Sequence, residues 1–171
     1  VDAGARRQIE YLVENGRDFG IEIFDVLHPR QGIEHVVMPE LGLVLPGLVI
    51  AAGDSHSTTY GAFGVVGFGI GTSDIEHLLA SQTLVYRRLK TMRITVDGEL
   101  APGVTAKDVI MEVIRRIGAD GAAGHAVEFA GAAIEAMGGE ARMTIGNMAL
   151  ECGARVALMA PDDKVVAYVA K

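Results

Sequence analysis

The sequence predicts an α/β protein made of two small domains with mainly parallel sheets, residues 1–91 and 92–171. Three observations carry this. Leu48 to Ala52 is a continuous apolar run that ends in the polar cluster Gly53-Asp54-Ser55-His56, as in a buried parallel strand whose carboxyl end delivers side chains to a ligand. Helix-capping signals follow the strand signals rather than preceding them. The strand-then-helix rhythm restarts at a seam near Lys90 to Arg93, with no repeat and no long linker between the halves.

Taken in order, Val1 to Glu14 reads as a helix with Ile9, Leu12 and Val13 on one face, not as a basic-then-apolar signal peptide. Gly16 and Gly20 then open a turn, and Ile21 to Phe24 is a short apolar run fit for a strand. Beyond the Leu48–Ala52 strand comes a glycine series at positions 61, 64, 67, 69 and 71. Ser73 with Glu76 forms a capping box for a helix running to about Val85. Thr91 to Asp97 alternates as a strand, Thr105 caps a helix over Ala106 to Ile117, and Gly118 ends it. His125 to Phe129 reads as a strand, Arg142 to Glu151 as a helix stopped by Gly153, and Arg155 to Met159 as a further strand. Val1 in place of methionine, and a helical pattern from Asp163 without a terminator, both read as cut ends.

Composition narrows the function. Half of the 171 residues are hydrophobic, enough for a real core, and no apolar run reaches the roughly 18 residues of a membrane span. Fifteen basic against 22 acidic residues give a net charge of -7, and no more than two basic residues adjoin, so a phosphate backbone meets no positive stripe. Neither nucleic acid nor membrane is an expected partner. The one cysteine, Cys152, forms no internal disulfide, which fits a reducing compartment; the expected location is the cytoplasm.

Two constellations can carry chemistry. Asp54 and His56 are two apart, so in an extended strand their side chains share a side and Ser55 takes the other. A carboxylate beside an imidazole fixes its tautomer and leaves the second ring nitrogen for a substrate hydroxyl. The same Asp and Ser can equally satisfy their own backbone in a turn. Asn147 and Glu151 are four apart on a helix and so share a face, which an ordinary solvated helix also produces. The glycine series fails the dinucleotide fingerprint at its third glycine and fits close packing better than anion binding. His28, His35, His77 and His125 have no partner at metal-ligand spacing and read as structural or surface residues, and Cys152 reads as buried packing; no metal site is expected within this chain.

The segment Ala52-Gly53-Asp54-Ser55-His56, followed by Ser57-Thr58-Thr59-Tyr60-Gly61-Ala62-Phe63-Gly64, resembles the aconitase superfamily with its Gly-Asp-Ser-His motif. Further blocks at Gly69 to His77, Pro102 to Asp108, Val127 to Phe129 and Met143 to Glu151 are similar to isopropylmalate dehydratase large subunits, so the resemblance covers nearly the whole chain. It implies an aconitase-like fold of three-layer α/β domains, with residues 1–91 ending the first domain and 92–171 belonging to the second.

The resemblance also implies an activity. Members are hydro-lyases that isomerise 2-isopropylmalate and 3-isopropylmalate by dehydration and rehydration, in leucine biosynthesis, with a 4Fe-4S cluster whose open iron acts on the departing hydroxyl. Asp54 and His56 match the family's acid-base pair, Ser55 a residue near a substrate carboxylate, Glu151 a glutamate at the same water, and Asn147 an asparagine close to the cluster. The family's cluster cysteines match nothing in this chain, so the cluster belongs to the intact enzyme and none is expected on these residues alone. A dehydratase small subunit is the implied partner and a small hydroxy-dicarboxylate or tricarboxylate the implied substrate. Tyr60 stands where isopropylmalate enzymes usually have histidine, and Gly146 where they usually have cysteine. Homoaconitate, citramalate and dimethylmalate enzymes stay open beside the isopropylmalate reading, as does a cluster-free dicarboxylate- or protein-binding module.

Overall fold

The computed structural model describes residues 2–170, which form a mixed α/β fold with parallel sheets. The chain divides into two compact units, Val1–Val37 and Met38–Lys171. In the first unit, helix α1 (Ala3–Asp18) is capped by Asp2, whose carboxylate accepts from the Ala5 N–H at 2.9 Å. Ile9 and Val13 are half-buried but Leu12 is exposed, so the apolar face is narrower than the periodicity predicts. The expected strand at Ile21–Phe24 does not form. Its first N–H turns back to the helix, Ile21 N to Gly16 O at 2.8 Å, and Ile23 packs so tightly on Gly16 that a Cβ there would come within 2.2 Å of its Cδ1. A short helix α2 (Glu34–Glu40) holds Pro39 in its last turn, where the ring removes the N–H that would have bonded the His35 carbonyl.

The second unit is built on two parallel sheets. Strand β1 (Val49–Ala52) pairs in register with β2 (Val66–Gly69), Val49 opposite Val66 and Ala52 opposite Gly69. The predicted β1 is present and parallel but not buried: Val49 is 69% exposed and the rest half-buried. Between the strands runs a 3-10 helical segment, Ser55–Phe63, ended by Gly64 at a left-handed φ of 70°. Helix α3 (Thr72–Ser81) follows β2. Its cap differs from the prediction: Asp74, not Glu76, reaches back, accepting from the Gly71 N–H at 3.3 Å, and Gln82 ends the helix in a left-handed conformation well before Val85.

In the second sheet β3 (Lys90–Thr95), β4 (His125–Ala130) and β5 (Val156–Leu158) lie in that order, all parallel, with Ile94 opposite Phe129 and Val127 opposite Ala157. Helix α4 (Ala106–Ile117) behaves as its capping signals predict: Thr105 N and Oγ1 both donate to Asp108, at 2.8 and 2.6 Å, and Gly118 ends the helix. A short helix α5 (Ala132–Ala136) precedes α6 (Gly139–Met148). The predicted helix to Glu151 stops at Met148 and tightens into a 3-10 turn, Ala149–Cys152, closed by Gly153 at φ 86°. Helix α7 (Asp163–Val169) ends the described chain.

The largest core cluster joins α4 and α6 to this sheet through Val109, Ile110, Val113, Val127, Phe129 and Ile145. Burying each such aliphatic side chain contributes about 1.5–3 kcal/mol. Beneath α6, Arg142 is a wholly buried cation, bonded through Nε to Met137 O at 3.2 Å, through its Nη atoms to Ala160 O at 3.3 Å and Glu135 O at 3.1 Å, and paired with Asp162. Four of its five N–H donors meet an acceptor, one of them a carboxylate, which is what makes such burial tolerable.

Gly61, Gly64, Gly67 and Gly69 of the series are closely packed, as expected, whereas Gly71 is an exposed N-cap with nothing nearer than Asp74 Oδ2 at 3.7 Å. A Cβ on Gly61 would fall 1.6 Å from Ala157 O, and one on Gly67 2.2 Å from Ser57 O. Thus the 3-10 segment sits directly on β5, where Met159 N donates to Gly61 O at 3.0 Å, while α6 covers it from another side. That packing fixes the start of the segment, and the Gly-Asp-Ser-His cluster, relative to the end of α6.

Candidate active site

Strand β1 ends at Ala52, and Gly53-Asp54 carry the chain into the 3-10 segment. Asp54 is extended, at φ -107° and ψ 137°, and its Oδ1 accepts from the His56 N–H at 2.7 Å. The chain therefore turns at Ser55 instead of continuing as a strand. This corrects the expected alternation: Ser55 does not point away, since its Oγ lies 3.1 Å from His56 Nδ1. Asp54 caps its own turn and also stands 3.7 Å from the same ring nitrogen, a charge-range distance longer than a hydrogen bond.

The other ring nitrogen faces a distant part of the chain. His56 Nε2 is 3.3 Å from Glu151 Oε1. An ionised carboxylate only accepts, so this contact puts the imidazole proton on Nε2 and leaves Nδ1 to accept from the Ser55 hydroxyl. The pair is open to solvent, with side chains 35% and 57% exposed. At such exposure the contact contributes no more than about 0–1 kcal/mol, even with the ring protonated, so the fold does not depend on it.

Asn147 approaches from behind. Its Nδ2 donates to Thr59 Oγ1 at 3.0 Å, and that hydroxyl donates to His56 O at 2.6 Å. Asn147 thus touches the backbone of the His56 turn through Thr59 and not the ring. Because α6 gives way to a 3-10 turn, Asn147 and Glu151 do not continue one helical face as expected; Glu151 reaches the ring while Asn147 braces the turn. Thr59 is a residue that sequence reading passes over, its one signal being a polar run, Ser57-Thr58-Thr59, that is buried throughout.

The donor set of the described residues does not fit an iron–sulfur cluster. Cys152 is buried, its thiol donates to Ala149 O at 3.1 Å, and burial pushes its pKa up, away from the thiolate a metal requires. Among the described residues no group of three His, Cys, Asp or Glu side chains converges on a metal site.

Of the other histidines, His28 stacks on Phe24 with ring centroids 4.7 Å apart, His77 is exposed on α3, and His125 Nδ1 lies 2.9 Å from Ala123 O. His35 is buried, with Nδ1 3.5 Å from Glu34. No helix among the described residues is long and apolar enough to cross a membrane.

Residues 2–171 match the Aconitase family (aconitate hydratase) along their whole length. The chain belongs to the aconitase family. It is 65% identical over 168 residues to 3-isopropylmalate dehydratase large subunit 2 of Salmonella choleraesuis strain SC-B67, and equally to that of Salmonella typhimurium strain LT2. Each alignment covers 98% of this chain and 36% of the relative. A large subunit 1 of Mannheimia succiniciproducens is 64% identical over 168 residues, again 98% of this chain and 35% of the relative. The chain therefore spans about a third of the length of the curated relatives it matches.

The two departures from the usual isopropylmalate pattern lie in packing positions of this aconitase-family unit. Tyr60 is wholly buried, with its hydroxyl 3.2 Å from the Met38 sulfur. Gly146 packs on the 3-10 segment, where a Cβ would sit 3.1 Å from Thr58 O. Both positions are buried, away from the open face that His56 and Glu151 share.

Proposed function

We propose that this chain is the acid-base portion of a 3-isopropylmalate dehydratase large subunit, a hydro-lyase that interconverts 2-isopropylmalate and 3-isopropylmalate by loss and return of water. The observation that carries the reading is the contact of His56 Nε2 with Glu151 Oε1 at 3.3 Å, between the Gly-Asp-Ser-His turn and the end of α6. High identity to large subunits over 98% of the chain supports the substrate class.

In this reading His56 and Glu151 form a proton-transfer unit at the substrate hydroxyl. Glu151 holds the imidazole by Nε2, and Ser55 and Asp54 lie at Nδ1, so a proton added to the ring has an acceptor waiting on either side. Dehydration needs one proton delivered to the departing hydroxyl, and rehydration returns it to the same unit. Ser55, exposed at the tip of the turn, is the group offered to a substrate carboxylate, and Asn147 holds the turn through Thr59. The base for the carbon-bound proton and the cluster ligands belong to other parts of the longer polypeptide. The partner in this reading is the small subunit implied by the relatives' name. The proposed family-level domain boundary at residue 91 falls inside the compact unit Met38–Lys171, and the proposed location is the cytoplasm.

Tyr60 and Gly146 are both packed in the interior, so neither departure alters the exposed site, and the substrate is read from the identity to large subunits alone. The test is anaerobic reconstitution of the full-length polypeptide with iron, sulfide and the small subunit, followed by hydration of isopropylmaleate, read as loss of its ultraviolet absorbance. Turnover supports the proposal. A loaded cluster with no turnover overturns it.

A further inference from the structure

Arg155 follows Glu151 by four residues, just beyond the left-handed turn at Gly153 and directly before β5. Its guanidinium is half-buried, yet among the described residues no carboxylate pairs with it. It donates instead through Nη2 to the carbonyl of Gly69 at 2.6 Å and through Nε to the hydroxyl of Tyr86, whose ring centroid lies 5.6 Å from its carbon. A charged donor on a backbone carbonyl makes a strong hydrogen bond, and a planar guanidinium shared between two acceptors fixes their relative positions.

Gly69 is the last residue of β2, opposite Ala52, and the next residue keeps the pairing through Ile70 N to Ala52 O at 2.8 Å. The turn carrying the Asp54-Ser55-His56 cluster rests on this strand end. A Cβ at Gly69 would come 2.5 Å from Asp54 O and 2.8 Å from Ser55 Cα. Ser55, Gly53, Ile70, Gly71 and Arg155 line one cavity of about 240 Å³. The stretch from Glu151 to Arg155 therefore meets the turn at two places, Glu151 at the ring and Arg155 at the strand end on which Ser55 lies.

We infer that Arg155 is a positioning residue: by fixing the Gly69 carbonyl against Tyr86 it holds the platform under Asp54 and Ser55, and so keeps His56 in contact with Glu151. Its consequence for turnover rests on the proposed hydro-lyase reading; its consequence for the His56 contact does not.

The test has two readouts. In the 171-residue chain, the nuclear Overhauser contact between the His56 ring and the Glu151 side chain is compared in wild type, Arg155→Met, Arg155→Lys and Tyr86→Phe. Arg155→Met is expected to lose the contact, Tyr86→Phe to weaken it, and Arg155→Lys, which keeps one donor for the carbonyl, to retain part of it. Contact at wild-type strength in Arg155→Met overturns the inference. Should that variant not fold, unchanged contact in both Tyr86→Phe and Arg155→Lys overturns it equally.

In the assembled enzyme, Arg155→Met is expected to lower kcat by about tenfold or more, with a smaller rise in KM, since Arg155 acts through the turn that carries both His56 and Ser55. A rise in KM at unchanged kcat would make it a substrate ligand and overturn the positioning role. If the wild-type enzyme does not hydrate isopropylmaleate, the proposed function fails, and the Overhauser comparison still decides the role of Arg155.

Discussion

His56 and Glu151, 95 positions apart in the chain, meet at 3.3 Å because the 3-10 segment that begins at Ser55 is clamped between α6 and β5. The clamp is buried, polar residues Ser57 to Thr59 included, while the pair it presents is exposed, so the two can be changed separately. Glu151→Gln and His56→Ala are each expected to lower turnover of the assembled enzyme by about 10²–10⁴-fold, the usual worth of a positioned acid-base group. Both are expected to leave thermal unfolding of the chain nearly unchanged, because exposed ion pairs contribute about 0–1 kcal/mol. Kinetics and calorimetry on the same variants check the separation; a large loss of stability would show that the pair serves the fold.

Gly61→Ala tests the clamp itself. The added methyl would stand 1.6 Å from Ala157 O, and backbone of β5 cannot withdraw as a flexible side chain would. The expected cost exceeds about 4 kcal/mol, in the range reserved for a broken core. Gly124→Ala is the contrasting control: its φ of 74° is left-handed, unlike that of Gly61, but nothing lies within 4 Å of the new methyl, so only about 1–2 kcal/mol of backbone strain is expected. Urea unfolding of both variants reads the difference, and equal costs would mean that the close approach is not required.

The parts of this fold that were legible in the sequence are those governed by near neighbours. Thr105, Asp108 and Gly118 mark the ends of α4 because a cap is settled within one helical turn. The run at Ile21–Phe24 misleads for a matching reason: apolar residues make a strand only when another strand takes up their N–H groups, and Ile21 N bonds Gly16 O instead. The Gly-Asp-Ser-His cluster announces itself, but the turn geometry that brings Ser55 beside His56 depends on Asp54 capping the 3-10 segment, not on the strand period. The roles of Thr59 and Arg155 were not legible, since each acts on a partner far away in sequence: Asn147 at 88 positions and Gly69 at 86.

Asp162 sets an acid limit on stability. Partial burial alone would raise its pKa, but hydrogen bonds from Arg142 and the Val165 N–H, with the Arg142 charge, hold the carboxyl below the ordinary range. A carboxyl depressed in the folded state stabilises above its unfolded pKa of about 4, and that contribution is lost as pH falls through the lower folded value. Asp162→Ala also removes the α7 cap, so at neutral pH it is expected to cost about 2.5–4 kcal/mol, from a cap of about 1 and a charged hydrogen bond of about 1.5–3. The gap between wild type and variant should narrow only below the ordinary carboxylate range. Urea titrations at neutral and acid pH measure it; a gap constant with pH would remove the ion pair from the account.

Cys152 separates this chain's own chemistry from that of a cluster. Burial raises the thiol pKa, and the S–H is spent on Ala149 O within the turn that carries Glu151. Alkylation proceeds through the thiolate, so iodoacetamide is expected to leave Cys152 unmodified in the folded chain and to label it fully in denaturant. The labelling rate should follow the opening of the 3-10 turn after α6 in which the thiol is buried, and mass spectrometry at graded urea concentrations would trace that opening. Fast labelling under native conditions would mean that the turn holding Glu151 is loose, and that the 3.3 Å contact with His56 is made only when something else closes over it.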